Sequence, residues 1–245
     1  MALSEELKQS ELYREIAAEM TKGFGEQMTA RMRAEQAQKV KNYKTLNGLA
    51  QEGGILFTGS SLMELFPIAE MAVSAGIKCP VYNRGIGGTT TDDFLREIDT
   101  VLLDLKPSMV FINIGTNDMT DRVYGDRWMD HLAENYEKIL QAAREKIPSA
   151  VLYCMAYYPT NHHLPNANEW TRGMLKDRTK ENIAACNLRV KALAEKYGCR
   201  YIDVNEGLFD ENGEQKAEFA IDGVHMNANG YRVVFENLKP YLPLS

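Results

Sequence analysis

The chain has 245 residues, 44% of them hydrophobic and 25% charged, which is enough to bury one substantial core and too little for two large domains. Its formal net charge of −6 gives no basic surface for nucleic acid and no polybasic patch for an anionic membrane, so neither is expected as a partner. The first residues carry acids where a signal peptide carries basic residues, and no apolar run is long enough to span a bilayer, so we expect a cytoplasmic protein without membrane insertion.

Residues 1–50 are predicted to form a helical extension. Apolar residues recur at helical spacing between charged ones from Leu3 to about Leu49, and this pattern favours two helices broken near Gly23 and Gly25. We expect the extension to brace the main domain. Two alternatives stay open, namely that it covers the active site or that it mediates dimerisation and makes a homo-oligomer.

Residues 51–245 are predicted to form a single α/β domain, because short apolar runs alternate there with longer amphipathic segments. The expected strands are residues 55–58, 80–83, 109–114, 150–156 and 200–204, and the expected helices are residues 67–76, 91–105, 128–146, 173–197 and 228–238. About five parallel strands with helices on both faces make a three-layer α/β/α sandwich of the flavodoxin-like type. Such folds bind ligands at the carboxyl ends of their strands.

No metal site and no cofactor are expected. The histidines show no ligand spacing, and the cysteines form no Cys-x-x-Cys pair, so the expected state is four reduced thiols, at Cys79, Cys154, Cys186 and Cys199.

Two polar segments follow the first two predicted strands. In Gly-Ser-Ser-Leu at 59–62, a serine at a strand-to-helix turn can present its hydroxyl at the sheet edge, although the same pattern also suits a simple helix cap. In the glycine-rich segment 83–90, the glycines let a ligand approach the backbone closely. A phosphate-binding loop is the rival interpretation, but the glycine spacing does not fit and no lysine is present.

Two further segments lie at the same predicted edge. In Gly-Thr-Asn-Asp at 115–118, the asparagine can aim its amide at an oxyanion or simply form a turn, whereas Asn113 is interpreted as a satisfied polar group at the strand end. In Asp-Gly-Val-His at 222–225, the carboxylate can hold one ring nitrogen of the histidine and leave the other to accept a proton from a serine. Because all four segments lie at the same edge of the predicted sheet, we interpret them as parts of one site and not as four unrelated turns.

These four segments resemble, in order, the sequence blocks of the SGNH hydrolase superfamily of GDSL-type esterases and acylhydrolases. The resemblance implies that Ser61 is the nucleophile, that His225 is the general base and that Asp222 orients it. It also implies an oxyanion hole made by the backbone amides of Ser61 and Gly88 and the side chain of Asn117.

Two positions depart from the family pattern. Ser60 and Thr89 stand where the family often has acidic residues, and Ser60 is thereby a rival nucleophile. The pair Ser-Ser in the first block resembles that of some members of the broader family, which are similar to platelet-activating-factor acetylhydrolase subunits and carbohydrate acetylesterases. The departures therefore bear on the subgroup more than on catalysis.

We expect a serine esterase that cleaves small carboxylic esters with a short, acetyl-like acyl group. The segment 157–172 is too polar and aromatic for a simple connector and is expected to form one wall of the pocket. The residues that would contact the substrate, or else only pack the loop, are Tyr158, His162, His163 and Trp170. The alternatives are a non-catalytic module that binds carbohydrate or another small ligand in the same cleft, and an acyltransferase.

Overall fold

The structure, a computed structural model, describes residues 11–165 and 169–243. The chain divides into two compact units, the first ending at Lys41 and the second beginning at Asn42. The described part of the first unit belongs to one helix, α1 (Glu11–Asn47), whose last turns lie in the second unit. The division falls earlier than the boundary expected at residue 50.

Within the described residues, five strands form one sheet: β1 (Ile55–Gly59), β2 (Val81–Asn83), β3 (Met109–Asn113), β4 (Val151–Met155) and β5 (Arg200–Ile202). Their order is β2-β1-β3-β4-β5, and all neighbouring strands are parallel. This is the strand order of flavodoxin-like folds, and each strand overlaps one of the five predicted runs. The predicted parallel sheet is therefore confirmed.

Helices flank the sheet and complete the predicted three-layer α/β/α sandwich. All five residues of β1 are buried, which requires cover on both faces of the sheet. The described helices of the second unit are α2 (Ser61–Glu64), α3 (Ile68–Ser74), α4 (Thr91–Arg96), α5 (Asp121–Tyr124), α6 (Trp128–Lys146), α7 (Glu169–Leu175), α8 (Lys180–Lys196) and α9 (Ala228–Leu238).

An aromatic row crosses the three central strands. Phe57 is in register with Phe111, which is in register with Tyr153, so the three rings lie on one face of the sheet. The ring centroids of neighbours are 4.6 and 4.7 Å apart, and the rings are stacked. Aromatic pairs of this kind stabilise a fold beyond their buried area, and here they fix the lateral alignment of the strands.

The pairing of β1 with β3 continues to the last residue of β1, where Gly59 lies opposite Asn113. Gly59 has a φ of 151°, and a Cβ atom at this position would lie 1.9 Å from the Asn113 carbonyl oxygen. Only glycine allows the backbones to come this close. The close approach brings the turns that follow the two strands side by side.

Helix α9 is bonded to the turn that follows β1. The Tyr231 hydroxyl donates a 2.8 Å hydrogen bond to the carbonyl of Leu62, and the Tyr231 ring stacks on Phe66 at 5.0 Å. The helix begins at a capped end, because the Asn227 side chain accepts hydrogen bonds from the first backbone amides. Residues far apart in sequence are thereby held at one edge of the sheet.

The predicted break in the N-terminal extension is wrong. Helix α1 continues through Gly23 and Gly25. Each interior glycine costs a helix about 1 kcal/mol relative to alanine, but the surrounding residues, many of them Glu, Gln, Met, Ala and Arg, favour the helix and outweigh this cost. The part of the prediction that falls on residues 1–10 lies outside the described residues.

Two other predicted helices are also divided. In 91–105, helix α4 ends at Arg96, and a wider helical turn, Asp99–Leu103, follows. In 173–197, the chain leaves α7 and starts α8 again at a cap, where the Thr179 side chain accepts a hydrogen bond from the Asn182 amide. Thr179 is thus the sequence signal that the prediction overlooked.

Within residues 11–165 and 169–243, no helix combines the length and the apolar character that crossing a bilayer requires.

The close approach of β1 and β3 predicts that Gly59→Ala destabilises the fold by about 3 kcal/mol or more, because the new methyl group meets a backbone carbonyl in addition to the strain of a positive φ. Gly53→Ala is the matched control, since Gly53 has a φ of 79° and no atom within 4 Å of its Cβ position. Its expected cost is about 1 kcal/mol. Urea denaturation measures both values, and equal losses would contradict the steric explanation.

Candidate active site

The two serines after β1 have different surroundings. Ser60 is extended and occupies the N-cap position of α2, but its buried hydroxyl makes no capping hydrogen bond and has no partner among the described residues. Ser61 begins α2, and its Oγ lies 2.7 Å from Nε2 of His225. Ser61, and not Ser60, is therefore the serine within reach of an imidazole.

A carboxylate lies on the other side of that imidazole. Oδ2 of Asp222 is 2.7 Å from Nδ1 of His225. Oδ1 accepts hydrogen bonds from the backbone amides of Val224 at 3.0 Å and His225 at 2.8 Å. Partial burial by itself would raise the pKa of Asp222, but these hydrogen bonds outweigh it and lower the pKa to about 2. The carboxylate is therefore ionised at neutral pH.

The hydrogen-bond partners decide the tautomer of His225. An ionised carboxylate can only accept a hydrogen bond, so Nδ1 carries the hydrogen and Nε2 is the free acceptor. The Ser61 hydroxyl then donates to Nε2. This arrangement allows a proton to move from the serine to the histidine while Asp222 stabilises the resulting cation.

The loop that carries Asp222 is tightly packed. Gly223 has a φ of 87°, and a Cβ atom there would lie 2.4 Å from the Asn161 carbonyl oxygen. The Asn161 amide donates to the Gly223 carbonyl at 2.8 Å. The segment after β4 therefore braces the Asp222 loop.

The glycine-rich segment 83–90 lies against α2. The Gly87 amide donates a 2.5 Å hydrogen bond to the Glu64 carboxylate, and a Cβ atom on Gly87 would lie 3.7 Å from the Ser61 Cβ. Gly88 follows with a φ of 72°. These contacts place the segment beside Ser61.

Asn117 reaches the same segment from the turn after β3. Its side-chain Nδ2 donates to the Thr89 carbonyl at 2.9 Å, and its Oδ1 accepts a 2.9 Å hydrogen bond from the guanidinium of Arg178. The structure thus brings Asn117 next to the residue that follows Gly88, while Gly87 lies close to Ser61. The proposed oxyanion donors come from three loops at one edge of the sheet.

The remaining polar residues that the sequence singled out serve local structure. The Thr89 hydroxyl donates to the Ile86 carbonyl at 2.7 Å, within its own turn. Asn113 is fully buried and donates to the Ala156 carbonyl at 3.0 Å, although its Oδ1 has no partner among the described residues.

One expected substrate residue is corrected. Tyr158 is only 2% exposed and packs in the hydrophobic core, so its ring cannot stack on a substrate. His162 is half-buried beside the Arg178 carbonyl, whereas the His163 side chain is 79% exposed and bonded to Glu214 at 2.8 Å. Trp170 belongs to α7, but its side chain lies outside the described residues.

Arg178 is the site residue that sequence reasoning missed. It occupies the break between α7 and α8, and a lone arginine in a polar linker gave no signal. The overlooked cap at Thr179 could have revealed the break, but not the direction of the arginine side chain.

In the part of the chain that the structure describes, no group of three or more His, Cys, Asp or Glu side chains is arranged to hold a metal ion. The four cysteines are free thiols, two buried and two half-buried.

The model of the GDSL-like Lipase/Acylhydrolase family matches residues 68–233, which is more than half of the chain. The chain belongs to this family. The family is one of esterases and acylhydrolases, and the match spans Gly88, Asn117, Asp222 and His225 but begins after Ser61. The membership predicted from the four sequence segments is confirmed.

The similarity of this GDSL-like chain to individual proteins is low in sequence and clearer in fold. The platelet-activating factor acetylhydrolase IB subunit alpha2 of Rattus norvegicus is 22% identical over 190 residues, covering 77% of this chain and 75% of the relative. A structure from Streptococcus pneumonia, provisionally described as a platelet activating factor, has 28% identity and a TM-score of 0.77, covering 88% of this chain and 96% of that one. A catalytic mutant of an acetylxylan esterase from Geobacillus stearothermophilus has 17% identity and a TM-score of 0.60, covering 80% and 96%.

A buried carboxyl beside the candidate site, that of Asp118, predicts a pH effect on stability. Burial raises the pKa of Asp118 to about 7, although hydrogen bonds from Thr91 oppose the rise. Between about pH 4 and 7 the native state therefore keeps a proton that the unfolded chain has released, so stability falls as the pH rises through this window.

Asp118→Asn removes this titration, so the variant should lose less stability than the wild type between about pH 5 and 7. Urea denaturation at each pH measures the slope. Asp126→Asn is the control, because Asp126 is exposed. An unchanged slope in Asp118→Asn would contradict the prediction.

Proposed function

We propose that this GDSL-like chain is a serine carboxylic-ester hydrolase with Ser61 as nucleophile, His225 as general base and Asp222 as the residue that orients the base. The observation that carries the proposal is the continuous chain of hydrogen bonds from Ser61 Oγ through His225 to Asp222, with both links 2.7 Å long. A nucleophile, a base and an orienting carboxylate in contact form the arrangement that activates a serine hydroxyl.

The reaction proceeds in two halves. Ser61 Oγ attacks the ester carbonyl carbon while its proton passes to Nε2 of His225. The tetrahedral intermediate then expels the alcohol, which takes the proton from the imidazolium, and leaves an acyl group on Ser61. Water repeats these steps, giving up a proton to His225 and releasing the acid as the serine recovers its hydrogen. Asp222 stays ionised throughout and stabilises the imidazolium.

The oxyanion of the intermediate is assigned to the backbone amides of Ser61 and Gly88 and the Nδ2 amide of Asn117. The amide of Ser61 lies in the first turn of α2, and Gly88 and Asn117 belong to loops that meet beside it. Fixed donors at the point where negative charge develops lower the barrier, because they need no reorganisation during the reaction.

A short acyl group is the proposed substrate feature. Two of the side chains that contact the glycine-rich segment or Asn117, those of Glu64 and Arg178, carry charged groups, which favours a short acyl group over a long apolar chain beside them. Two of the similar proteins are an acetylhydrolase subunit and an acetylxylan esterase, which makes acetyl esters the first substrates to assay.

A fluorophosphonate probe tests the nucleophile. The wild type should be labelled once, at Ser61, as located by peptide mass spectrometry, and Ser61→Ala should lose both label and esterase activity. Ser60→Ala is the matched control, because it removes the neighbouring hydroxyl that is buried and away from the imidazole. It should keep the label. Labelling at Ser60 would refute the assignment, and no labelling of folded wild type would favour a binding module.

A panel of esters of increasing acyl length tests the substrate class, with acetylated sugars included. We expect kcat/KM to fall by about tenfold or more from acetyl to octanoyl, because added methylenes find no apolar contact. Ser61→Ala supplies the background rate. A rate that rises with chain length would overturn the short-acyl proposal, and transfer of the acyl group to an added alcohol in preference to water would identify an acyltransferase.

A further inference from the structure

Arg178 is a buried cation directly behind the proposed oxyanion hole. It is 7% exposed and lies in the break between α7 and α8. Burial of its guanidinium lowers the pKa of Arg178 to about 10, while the nearby carboxylates of Asp222 and Asp177 oppose this, so the group is charged at neutral pH. A buried charge is costly unless it is bonded, so its partners matter.

The guanidinium bonds two consecutive residues of the turn after β3. Its Nε donates to the Thr116 carbonyl at 3.0 Å, and one terminal nitrogen donates to the Asn117 Oδ1 at 2.9 Å. The backbone of Arg178 is itself fixed, because its carbonyl accepts a 3.0 Å hydrogen bond from the Thr160 hydroxyl. The guanidinium therefore holds the turn that carries Asn117 in place, and the fixed backbone of Arg178 limits its movement.

This contact decides which way the Asn117 amide faces. A guanidinium can only donate, so the partner atom on Asn117 must be its oxygen, and Nδ2 must lie on the opposite side. Nδ2 carries two hydrogens, of which one is donated to the Thr89 carbonyl. One N–H is left for an oxyanion. Without the arginine, the Asn117 side chain keeps its hydrogen bond to Thr89 and gains freedom to turn.

We propose that Arg178 is a positioning residue that holds the Asn117 amide with its free N–H toward the oxyanion site. The inference rests on the proposed function. It extends that function by adding a residue that touches neither substrate nor nucleophile and acts through Asn117.

Arg178→Lys keeps the positive charge but cannot bond Thr116 and Asn117 together in the planar geometry of the fork. We expect it to lower kcat by about tenfold or more with little change in KM, because the freed Asn117 amide then loses a hydrogen bond that it makes only to the oxyanion. Arg144→Lys is the matched control, since Arg144 also bonds several backbone carbonyls, those of Tyr197, Ala150 and Gly198, but at the opposite edge of the sheet.

A double-mutant cycle separates positioning from general stability. Asn117→Ala alone should lower kcat by about 100-fold. Adding Arg178→Lys to it should cost less than about twofold more, because the group that the arginine positions is already gone. If the two losses multiply, or if Arg178→Lys leaves kcat unchanged in the protein that keeps Asn117, the inference is overturned.

Two controls keep the outcomes distinct. Labelling of the wild type by the fluorophosphonate probe reports on the nucleophile alone, so its absence defeats the proposed function and not the contact between Arg178 and Asn117. If Arg178→Lys does not fold, Arg178→Gln, which keeps a neutral donor, enters the same cycle. Failure of both variants to fold would assign Arg178 to stability and overturn the positioning role.

Discussion

The backbones of β1 and β3 nearly touch at their carboxyl ends, where a glycine at the end of β1 faces the carbonyl of Asn113. This contact determines where the following turns lie, because each turn starts from a strand end that cannot shift. Ser61 follows one strand and Asn117 follows the other, so the proposed nucleophile and the proposed amide donor lie at the same end of the sheet. The close packing of these two backbones thus positions the residues of the candidate site.

Charge is controlled differently at three places around this edge. Hydrogen bonds from its own loop keep Asp222 ionised, and burial favours the neutral form of Asp118. Arg178 stays charged because the carboxylates of Asp222 and Asp177 oppose the effect of burial, and Thr116 and Asn117 accept its hydrogen bonds. Each group is close to the others in space but has a different balance of desolvation and hydrogen bonding. Loop geometry, more than the type of residue, therefore sets the protonation state of each group.

The strands and the four polar segments were predictable from sequence because they depend on local patterns, namely apolar runs and turn residues at the strand ends. Contacts made across the fold were not. Tyr158 has the sequence context of a pocket residue but faces the core, since the direction of a side chain after a strand depends on packing. Arg178 gave no pattern at all, because its role comes from two carbonyl-type acceptors more than 60 residues earlier. The continuous helix through Gly23 and Gly25 shows that two weak breakers do not override a long favourable segment.

The bond between Tyr231 and the Leu62 carbonyl has a consequence for biosynthesis. The ribosome makes the serine long before the histidine, since 164 positions separate them. Until α9 has emerged and docked, the growing polypeptide carries an ordinary alcohol with no base beside it. In the proposed mechanism, Ser61 therefore gains its general base only after the end of the chain has been synthesised and has folded against the turn that follows β1.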